Sequence, residues 1–486
     1  MTASPIPAER RIYCNRTLNL RSLKAIGYDM DYTLIHYHAE AWEQRAYTHL
    51  RTKLVALGWP VEHLRFRPEQ VMRGLIIDRE LGNLVKANRF GYVTRATHGT
   101  RPLPFDEQRR RYARTHVSLH DDRWEFLNTL FSLSEACMFA QLVDLLDEDR
   151  LPGHMNYDDV FRIVHRAIDE AHMEGLLKAD ILASPETYVD LDPDTPRALL
   201  DQKIAGRKLL LITNSEWPYT REIMAFAFDR FLPDGTTWRD LFDLVIVSAR
   251  KPAFFHPRQP LFRVADEERG LLEPCFSFAE GAVHQGGDAS SVEQFLGVGG
   301  DEILYVGDHI FTDVNVSKNL LRWRTALVIR ELEGDITAQR QFEAHQERLS
   351  DGMHRKAACE AELAQARLRL CRIEAEPDPA DRDEVREHIH RLRSEIDAID
   401  AEIAPLAQAA ATLFHPEWGL LLRAGNDKSH LARQLERHAD IYMSRVSNFL
   451  HATPFAFLRS PRGFLPHDES LRHSDPDDVS QTVDQG

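Results

Sequence analysis

Two aspartates stand two residues apart in the segment Asp29-Met30-Asp31, directly after a short apolar run. Side chains at positions i and i+2 of an extended segment point to the same side, so the two carboxyl groups share one face. One carboxylate can act as a nucleophile and the other as a general acid when their surroundings separate their pKa values. The pair alone is more typical of a cap or a surface pair, so the case for chemistry depends on its neighbours.

Three further polar segments follow apolar runs later in the chain. Thr213-Asn214-Ser215 offers a hydroxyl and backbone N–H groups, which together can hold an anion. Lys251 can neutralise a phosphoryl oxygen as a point charge, and Asp308 and Asp313 offer the oxygen ligands that Mg²⁺ prefers. Each segment alone has an ordinary explanation as a helix cap or a surface residue. Their joint occurrence in this order indicates phosphoryl-transfer chemistry.

The four polar segments need a scaffold that brings them together. Four short apolar runs precede them and predict buried parallel strands, at residues 23–28, 208–212, 242–247 and 302–306. Helical stretches separate these runs, which predicts an α/β fold with a doubly wound parallel sheet. Ligands bind outside the carboxyl ends of the strands in such sheets, so we expect the four polar segments to meet at one edge.

The spacing of these runs also predicts the domain organisation. The long insertion before the second strand is too long for a crossover, and amphipathic patterns at 124–146 and 158–177 predict a mainly helical cap. A second insertion, rich in Gly, Phe and Pro, predicts loops and a hairpin. The expected segments are 1–39 (start of the core), 40–194 (cap), 195–330 (rest of the core, with an insertion at about 252–300), 331–410 (helical hairpin), 411–460 (C-terminal helical segment packing on the core) and 461–486 (polar tail).

The segment 331–410 is charged and predicts two helices with coiled-coil seams. Apolar residues recur there at steps of three and four, and Pro377 and Pro379 separate the two series, which are Leu363, Ala366, Leu370, Ile373 and Val385, Ile389, Leu392, Ile396, Ile399, Ile403. The hairpin is either a strut that packs on its own body or a contact between subunits.

Composition narrows the possible partners. The 486 residues hold 60 Lys and Arg against 76 Asp and Glu, a formal net charge of −16. This balance argues against broad nucleic-acid binding, although a locally positive pocket can still take a small anion. No apolar run approaches the roughly 18 residues that cross a bilayer, and the N-terminal segment lacks the features of a signal peptide. The five scattered cysteines are typical of reduced thiols, so we expect a cytoplasmic protein without membrane contact.

The order of these segments resembles the haloacid-dehalogenase-type phosphotransferases. A narrower resemblance, to the cytosolic purine 5′-nucleotidases, is carried by DMDYTL from Asp29, ITNS from Ile212, ARKPAFF from Ala249 and LYVGDHIFTD from Leu304. Other stretches resemble the same family, namely GLIIDRELGNLVKANRFG from Gly74, HDDRWEFLNTLF from His120, AHMEGLLK from Ala171 and FLPHDES from Phe464. The resemblance spans most of the chain and is least specific in the helical hairpin.

The resemblance implies a reaction in two steps. Asp29 attacks the phosphorus of a nucleoside 5′-monophosphate and forms an aspartyl-phosphate, while Asp31 protonates the leaving O5′ and later deprotonates the attacking water. The Asp29 side chain, the Asp31 backbone carbonyl and the Asp308 side chain are the implied Mg²⁺ ligands.

Other residues are implied to neutralise charge on the phosphate. Thr213, the Asn214 backbone and Lys251 stabilise the equatorial oxygens, and Asp313 either reaches the ion through water or orients Lys251. Phosphoryl transfer depends mainly on such positioning and neutralisation.

The implied substrate-binding residues come mostly from the cap. Asp169, His172 and Lys178 match positions that contact the nucleotide, and Ser215 matches a position beside the phosphate or ribose. The family often has an aromatic residue and an Asn after the His-Gly of the cap, where this chain has Thr100-Arg101. Arg101 could stack on the base or bond to a base carbonyl instead. This departure from the family pattern puts the preference for a particular base in doubt, but it does not affect the residues implied in phosphoryl transfer.

Several functional hypotheses follow from the resemblance. The leading one is a Mg²⁺-dependent 5′-nucleotidase for purine monophosphates, IMP and GMP first, which could also transfer phosphate to a nucleoside. Its alternatives are a phosphatase for another ester such as a sugar phosphate, and a scaffold that binds a partner. The resemblance also implies a homo-oligomer, dimer or tetramer. Phe311 and Lys318 match an adenine-nucleotide effector region of some members, but Asn319 replaces a second lysine there, so we expect little activation.

Overall fold

The computed structural model describes residues 6–375 and 382–463, apart from the side chains of His172 and Met173. Four short strands precede the cap: β1 (Tyr13–Cys14), β2 (Leu18–Asn19), β3 (Ala25–Tyr28) and β4 (His36–Tyr37). β3 is buried along its whole length, as its apolar sequence predicts, and the aspartate pair follows its carboxyl end. The expected helix break at Pro377 and Pro379 and the stretch from Phe464 lie outside the described residues.

The cap combines helices with an antiparallel sheet. Its helices are α1 (Ala39–Ala56), α2 (Phe105–Tyr112), α3 (Leu133–Asp147), α4 (Tyr157–Met173), α5 (Leu176–Ala183) and α6 (Pro185–Tyr188). Its strands are β5 (Ile76–Asp78), β6 (Asn83–Ala87), β7 (Val93–His98), β8 (Arg101–Pro102), β9 (Trp124–Phe126) and β10 (Val189–Asp190). β5 to β9 form one sheet in the order β8-β7-β6-β5-β9, and β10 pairs with β4. This sheet was not predicted from the sequence.

The rest of the core follows the cap. Its helices are α7 (Asp194–Ile204), α8 (Trp217–Phe228), α9 (Trp238–Leu241), α10 (Ala289–Leu296) and α11 (Val316–Leu321). Its strands are β11 (Lys208–Ile212), β12 (Leu244–Val247), β13 (Leu261–Asp266), β14 (Leu271–Pro274), β15 (Val283–Gly286), β16 (Ile303–Gly307) and β17 (Arg324–Val328). The C-terminal part contains α12 (Leu332–Gln341), α13 (Glu343–Ala375), α14 (Arg382–Ala411), β18 (Arg423–Ala424), β19 (Asp427–Lys428), α15 (His430–His438), β20 (Ile441–Met443) and β21 (Phe457–Leu458).

A ten-stranded sheet forms the core, in the order β1-β20-β17-β16-β3-β11-β12-β15-β13-β14. The seven strands from β20 to β15 are parallel to one another, and the edge strands are antiparallel. From β3 the chain builds outward first through β11, β12 and β15, and then on the other side through β16, β17 and β20. The sheet is therefore doubly wound, with its switch point between β3 and β16, where such sheets bind ligands.

This topology confirms the predicted fold class, a doubly wound parallel sheet with an inserted cap and a C-terminal helical hairpin. The four predicted strands are the adjacent central strands β16, β3, β11 and β12. Central strands are covered on both faces, so their sequences are continuous apolar runs that can be recognised directly. Three of them differ from the predicted bounds by one or two residues at an end.

Three expectations about local structure need correction. The helical pattern over 124–146 was wrong at its start, because Trp124–Phe126 pairs antiparallel with β5 as a strand. The segment 411–460, expected to be helical, also contributes β20 to the core sheet beside β17. The insertion expected to be loops and a hairpin does contain the hairpin β13–β14, but Val283–Gly286 within it also extends the sheet beside β12. These short strands gain their stability from neighbours distant in sequence, which local periodicity does not report.

The helical hairpin consists of α13 and α14, whose packed residues are those of the predicted seams. Leu363 and Ala366 of α13 are buried against Val385, Ile389 and Leu392 of α14. Near the base, a Cβ added at Gly352 would lie 2.3 Å from Cγ2 of Ile403, so a glycine permits the close helix approach. Among the described residues, no helix combines the length and the hydropathy that a membrane span requires.

Candidate active site

The polar segments predicted to meet do lie side by side at one edge of the core sheet. Asp29 follows β3, Thr213 follows β11, Lys251 comes four residues after β12 and Asp308 follows β16. The four strands are adjacent, so the segments lie on both sides of the switch point. The fold thus places them where the sequence predicts a ligand.

Lys251 lies between two buried carboxylates. Its Nζ is 2.8 Å from Oδ1 of Asp29 and 2.7 Å from Oδ1 of Asp313, and the lysine side chain is 2% exposed. It also donates to the hydroxyl of Tyr305 at 3.0 Å, and that hydroxyl donates to the carbonyl oxygen of Ile212 at 3.1 Å. The ammonium group is therefore held at the sheet edge by a carboxylate that follows β3 and by two groups from β16 and the turn after it.

Three carboxyl groups form what we call the carboxylate cluster, made of Asp29, Asp308 and Asp313. Each offers an oxygen within 4.8 Å of the others, and all three residues are buried. Burial raises the pKa of Asp29 to about 7, against the lowering effect of Lys251. Burial, together with repulsion from the other two carboxylates, raises the pKa of Asp308 well above its ordinary value. Burial would lower the pKa of Lys251, but Asp29 and Asp313 hold it well above its usual range.

The carboxylate cluster fits a divalent cation. Ionisation of all three carboxyl groups against the single positive charge of Lys251 would leave an excess of two negative charges in a buried place, and the raised pKa values of Asp29 and Asp308 reflect that cost. Mg²⁺ takes such oxygen ligands, and its charge would offset this repulsion. Two of the predicted ligands, Asp29 and Asp308, belong to the cluster, and Asp313 joins them.

The side chain of Asp31 points to different partners. Its Oδ1 accepts a hydrogen bond from the hydroxyl of Tyr37, and its Oδ2 accepts one from the hydroxyl of Ser215 at 2.7 Å. Ser215, predicted to contact the substrate, thus contacts the second aspartate in this structure. The two aspartates of the pair have different surroundings, since Asp29 faces Lys251 and Asp31 faces hydroxyl groups. Such a difference is what separate nucleophile and acid roles require.

The turn after β11 is tied to the segment that carries Lys251. Oδ1 of Asn214 accepts from the backbone N–H of Lys251 at 2.6 Å, and its Nδ2 donates to the carbonyl oxygen of the same residue at 3.2 Å. The hydroxyl oxygen of Thr213 accepts from the backbone N–H of Ser215 at 3.0 Å. The Asn214 side chain therefore positions Lys251.

The turn after β16 brings Asp313 back to the cluster. Residues Ile310–Asn315 form a π-helical turn, a conformation that is frequent at functional sites. Nδ1 of His309 accepts from the backbone N–H groups of Phe311 and Thr312, at 3.3 and 3.1 Å. A Cβ added at Gly307 would lie 2.5 Å from Oδ2 of Asp313, so this close approach requires glycine.

Arg73 is a contact from the cap that sequence reasoning missed. Its side chain is 2% exposed, donates to the backbone carbonyl oxygen of Asp308, and donates to that of Asn128 at 2.8 Å. Its Nη1 lies 3.6 Å from Oε2 of Glu331. The residue directly precedes the family-like stretch at Gly74, but arginines are mostly exposed, so its type alone gives no signal.

The predicted substrate-binding residues of the cap do not lie together as the predicted residues of the core do. Lys178 faces the core: its Nζ is 2.7 Å from Oε2 of Glu216 and 5.0 Å from the ring centre of Tyr219. Asp169 is exposed and lies 3.5 Å from the ring nitrogen of His165. The side chain of His172 lies outside the described part of the structure.

Arg101 is not brought to the other predicted residues. Its side chain is 70% exposed, and its charged partners, each at 3.8 Å, are Asp144 and Glu148 at the end of α3. Among the described residues, no hydrogen bond or ion pair joins it to the strand ends that carry Asp29 or Lys251.

A separate cavity of about 660 Å³ lies beside the turn after β16, between the cap and α15. Phe311 and Asn319 line it, together with arginines and histidines of the cap and α15. Lys318, the other residue matched to an effector region, forms an ion pair with Asp440. Some residues that line the cavity are therefore close in sequence to Asp308 and Asp313, but the side chains of the carboxylate cluster do not line it.

Comparison with known proteins identifies relatives over nearly the whole chain. The model of the 5′ nucleotidase family matches residues 12–470. A 5′-nucleotidase domain-containing protein of Dictyostelium discoideum is 26% identical over 477 residues, covering 95% of this chain and 75% of that protein. The 5′-nucleotidase domain-containing protein 2 of Homo sapiens is 28% identical over 490 residues, covering 96% of this chain and 85% of that protein.

Solved structures with lower sequence identity also align. An archaeal β-phosphoglucomutase from Pyrococcus sp. strain ST 04 aligns with a TM-score of 0.27 and 10% identity, covering 63% of this chain and 86% of that chain. A 2-haloacid dehalogenase from Pseudomonas syringae pv. Tomato aligns with a TM-score of 0.21 and 15% identity, with coverage of 63% and 86%.

Proposed function

The chain belongs to the 5′-nucleotidase family, a family of phosphoric monoester hydrolases, and from this premise we propose that it hydrolyses purine nucleoside 5′-monophosphates to nucleoside and phosphate. IMP and GMP are the proposed preferred substrates, on the strength of the sequence resemblance to the cytosolic purine 5′-nucleotidases. The observation that carries the proposal is that Lys251 and the carboxylate cluster, which includes Asp29, lie together at the switch point of the sheet.

In the proposed first step, Asp29 attacks the phosphorus as the bond from phosphorus to O5′ breaks. Asp31 gives its proton to O5′, so the nucleoside leaves as an alcohol and the phosphoryl group stays on Asp29. The contrast between the two aspartates supports this assignment. Asp29 lies against Lys251, whereas the hydroxyls of Ser215 and Tyr37 orient the carboxyl group of Asp31.

In the second step, a water molecule attacks the phosphorus and displaces the Asp29 carboxylate. Asp31, now ionised, takes the proton of this water, which returns both aspartates to their starting states. Lys251, the Thr213 hydroxyl and the Asn214 backbone neutralise the equatorial oxygens in both steps. Asp29, Asp308, the Asp31 backbone carbonyl and, through its place in the cluster, Asp313 would hold Mg²⁺, which supplies charge neutralisation that brings a phosphate dianion close to carboxylates.

We propose substrate contacts on the cap for Asp169, His172 and Lys178, as the resemblance implies. Lys178 has the strongest structural support, because it packs against Tyr219 on the helix that follows Thr213. Arg101 stays outside this proposal because its partners lie on α3.

Phosphate release from a panel of esters tests the proposal. The panel contains IMP, GMP, AMP and ribose 5-phosphate, assayed with Mg²⁺ and with EDTA, for the wild-type protein and Asp29→Asn. Asp201→Asn, at an exposed position of α7, serves as the matched control. We expect Mg²⁺-dependent release from IMP and GMP that only Asp29→Asn abolishes. Equal turnover of ribose 5-phosphate and IMP would contradict the purine part and favour a sugar-phosphate phosphatase.

Addition of inosine to the same assay tests phosphate transfer. If the aspartyl-phosphate reacts with a nucleoside hydroxyl in place of water, labelled inosine is recovered as IMP. Absence of labelled IMP would restrict the enzyme to hydrolysis.

We further propose a homo-oligomer, dimer or tetramer, in a reducing compartment such as the cytoplasm. All five cysteines are free in the structure, which suits such a compartment. Light scattering on the full chain and on a variant lacking residues 360–403 measures the mass. Unchanged assembly in the shortened variant would assign the hairpin to a strut rather than to a subunit contact.

A further inference from the structure

The two chain connections between the core and the cap pair with each other. β4 and β10 form an antiparallel ribbon in which His36 lies opposite Asp190 and Tyr37 lies opposite Val189. The backbone N–H of His38 adds a hydrogen bond to the carbonyl oxygen of Tyr188 at 2.8 Å. Because the chain enters and leaves the cap through this ribbon, any rotation of the cap relative to the core has to bend or twist the ribbon.

Tyr37 extends from this ribbon to the second aspartate of the site. The residue is 4% exposed, and its hydroxyl donates to Oδ1 of Asp31. Its ring centre lies 4.5 Å from that of Trp42 and 5.2 Å from that of Tyr32, so the ring is packed against two other aromatic rings. The hydroxyl therefore has a fixed place and orients the Asp31 carboxyl group.

The same hydroxyl lies 2.8 Å from the hydroxyl of Tyr219, on α8. The ring of Tyr219 in turn lies 5.0 Å from Nζ of Lys178, on the cap helix α5. A continuous series of contacts thus joins a cap lysine to Asp31 through two tyrosines.

We propose that Tyr37 is a positioning residue for proton transfer, whose hydroxyl aims the Asp31 carboxyl group at the leaving oxygen and links it to the cap through Tyr219. This inference rests on the proposed function, in which Asp31 is the general acid. Ser215 holds the other oxygen of Asp31, so the two hydroxyls leave the carboxyl group little rotational freedom. The hydroxyl of Ser215 comes from the core, and that of Tyr37 comes from the ribbon of β4 and β10 that connects the core to the cap.

The leaving group of the substrate distinguishes this role from a structural one. The O5′ of a nucleotide needs a proton to leave, whereas p-nitrophenolate leaves without one. We therefore compare the first turnover of IMP and of p-nitrophenyl phosphate in the wild-type protein and in Tyr37→Phe, which keeps the packed ring. Tyr28→Phe is the control, because Tyr28 is buried and no described group hydrogen-bonds to its hydroxyl.

We expect Tyr37→Phe to slow nucleoside release from IMP by about 10- to 100-fold, a part of what general acid catalysis contributes, and p-nitrophenol release by less than about threefold. Tyr28→Phe should change neither rate. An equal loss with both esters, or a loss with neither, overturns the role of Tyr37. If Tyr37→Phe does not fold, Ser215→Ala removes the other donor to Asp31 and should show the same split between the two esters.

The wild-type rates separate this inference from the proposed function. If the wild-type protein cleaves ribose 5-phosphate instead of IMP, the nucleotidase proposal fails, and the comparison is run with that alkyl ester. A wild-type protein that cleaves p-nitrophenyl phosphate and no alkyl ester overturns both proposals, since Asp31 then protonates no leaving group.

Discussion

The polar residues at the strand ends of the core and two predicted residues of the cap, Arg101 and Asp169, have opposite surroundings. In the core, Asp29, Lys251 and Asp313 are buried and lie within 2.8 Å of a charged partner. On the cap, Arg101 and Asp169 are 70% and 60% exposed, and their charged partners lie at 3.5 Å or more on the cap itself. The side chains of the core site therefore have their partners in place without a substrate, whereas these two cap residues are open to solvent.

This difference predicts two kinds of mutational effect. Buried charges that compensate one another cost several kcal/mol when one is removed, whereas exposed pairs contribute about 0–1 kcal/mol. Substitutions at the strand ends should therefore change stability and turnover together. Substitutions on the cap should change substrate affinity and leave stability nearly constant.

The largest expected effect is that of Lys251→Met. The variant leaves Asp29 and Asp313 without their shared buried cation, so the free energy of unfolding should fall by about 3–5 kcal/mol. The kcat should fall on the order of 10²–10³-fold, as expected when a charge-stabilising donor is lost. Urea unfolding and phosphate release measure the two quantities. Lys24→Met, at an exposed position, is the control. An equal loss of stability in both variants would contradict the special contribution of the buried charges at the strand ends.

Gly307→Ala tests whether the close approach of Asp313 to β16 is needed for stability and turnover. The new Cβ would overlap Asp313, so we expect a loss of about 1–3 kcal/mol in the free energy of unfolding from overpacking. A displaced Asp313 should lower kcat on the order of 10²-fold, as a misplacement of about 1 Å can do. Gly463→Ala, where an added Cβ would meet no atom within 4 Å, should leave both quantities unchanged. Normal kcat in Gly307→Ala would show that Asp313 is not needed at its observed place.

Lys178→Ala and Arg101→Ala compare a cap residue that contacts the core with a cap residue that does not. Lys178 faces the core, so its loss should raise the KM for IMP on the order of 10-fold, the cost of a charged hydrogen bond. Arg101→Ala should change KM less than about twofold and stability by less than about 0.5 kcal/mol. Steady-state kinetics with IMP measures both. A larger effect at Arg101 would mean that the cap closes onto the base in the bound enzyme.

The smallest effect is a pH dependence on the cap. The hydrogen bond from His165 to Glu135, at 2.7 Å, raises the pKa of His165 to about 9, from an ordinary value of 6.5. The stabilisation is therefore complete below pH 6.5 and is lost as the pH rises through about 9. It should stay below about 1 kcal/mol, since the side chain is half exposed.

Urea unfolding of the wild-type protein and of His165→Gln across this range measures the difference. His451→Gln, at an exposed position, is the control. A constant difference between wild type and His165→Gln at all pH values would assign the contribution to packing rather than to charge.

Much of the core could be predicted because its information is local. The four central strands are continuous apolar runs, and each ends in the polar segment that reaches the site. The cap sheet was missed because its strands alternate with turns and include polar residues such as Asp78, Asn83 and Lys86, which are buried through contacts made elsewhere in the chain. Asp78, for example, is paired with Arg123 at 2.7 Å.

The sequence by itself determined the chemistry-bearing residues, their order and the sheet that carries them, since apolar runs and the polar residues that end them are local features. Only the tertiary structure decided which of those residues touch. Ser215 contacts Asp31 across 184 positions of sequence, and Arg73 contacts Asp308 across 235. The first contact depends on how the core strands β3 and β11 pair, and the second on how the cap packs on the core. No single residue type or spacing encodes either arrangement.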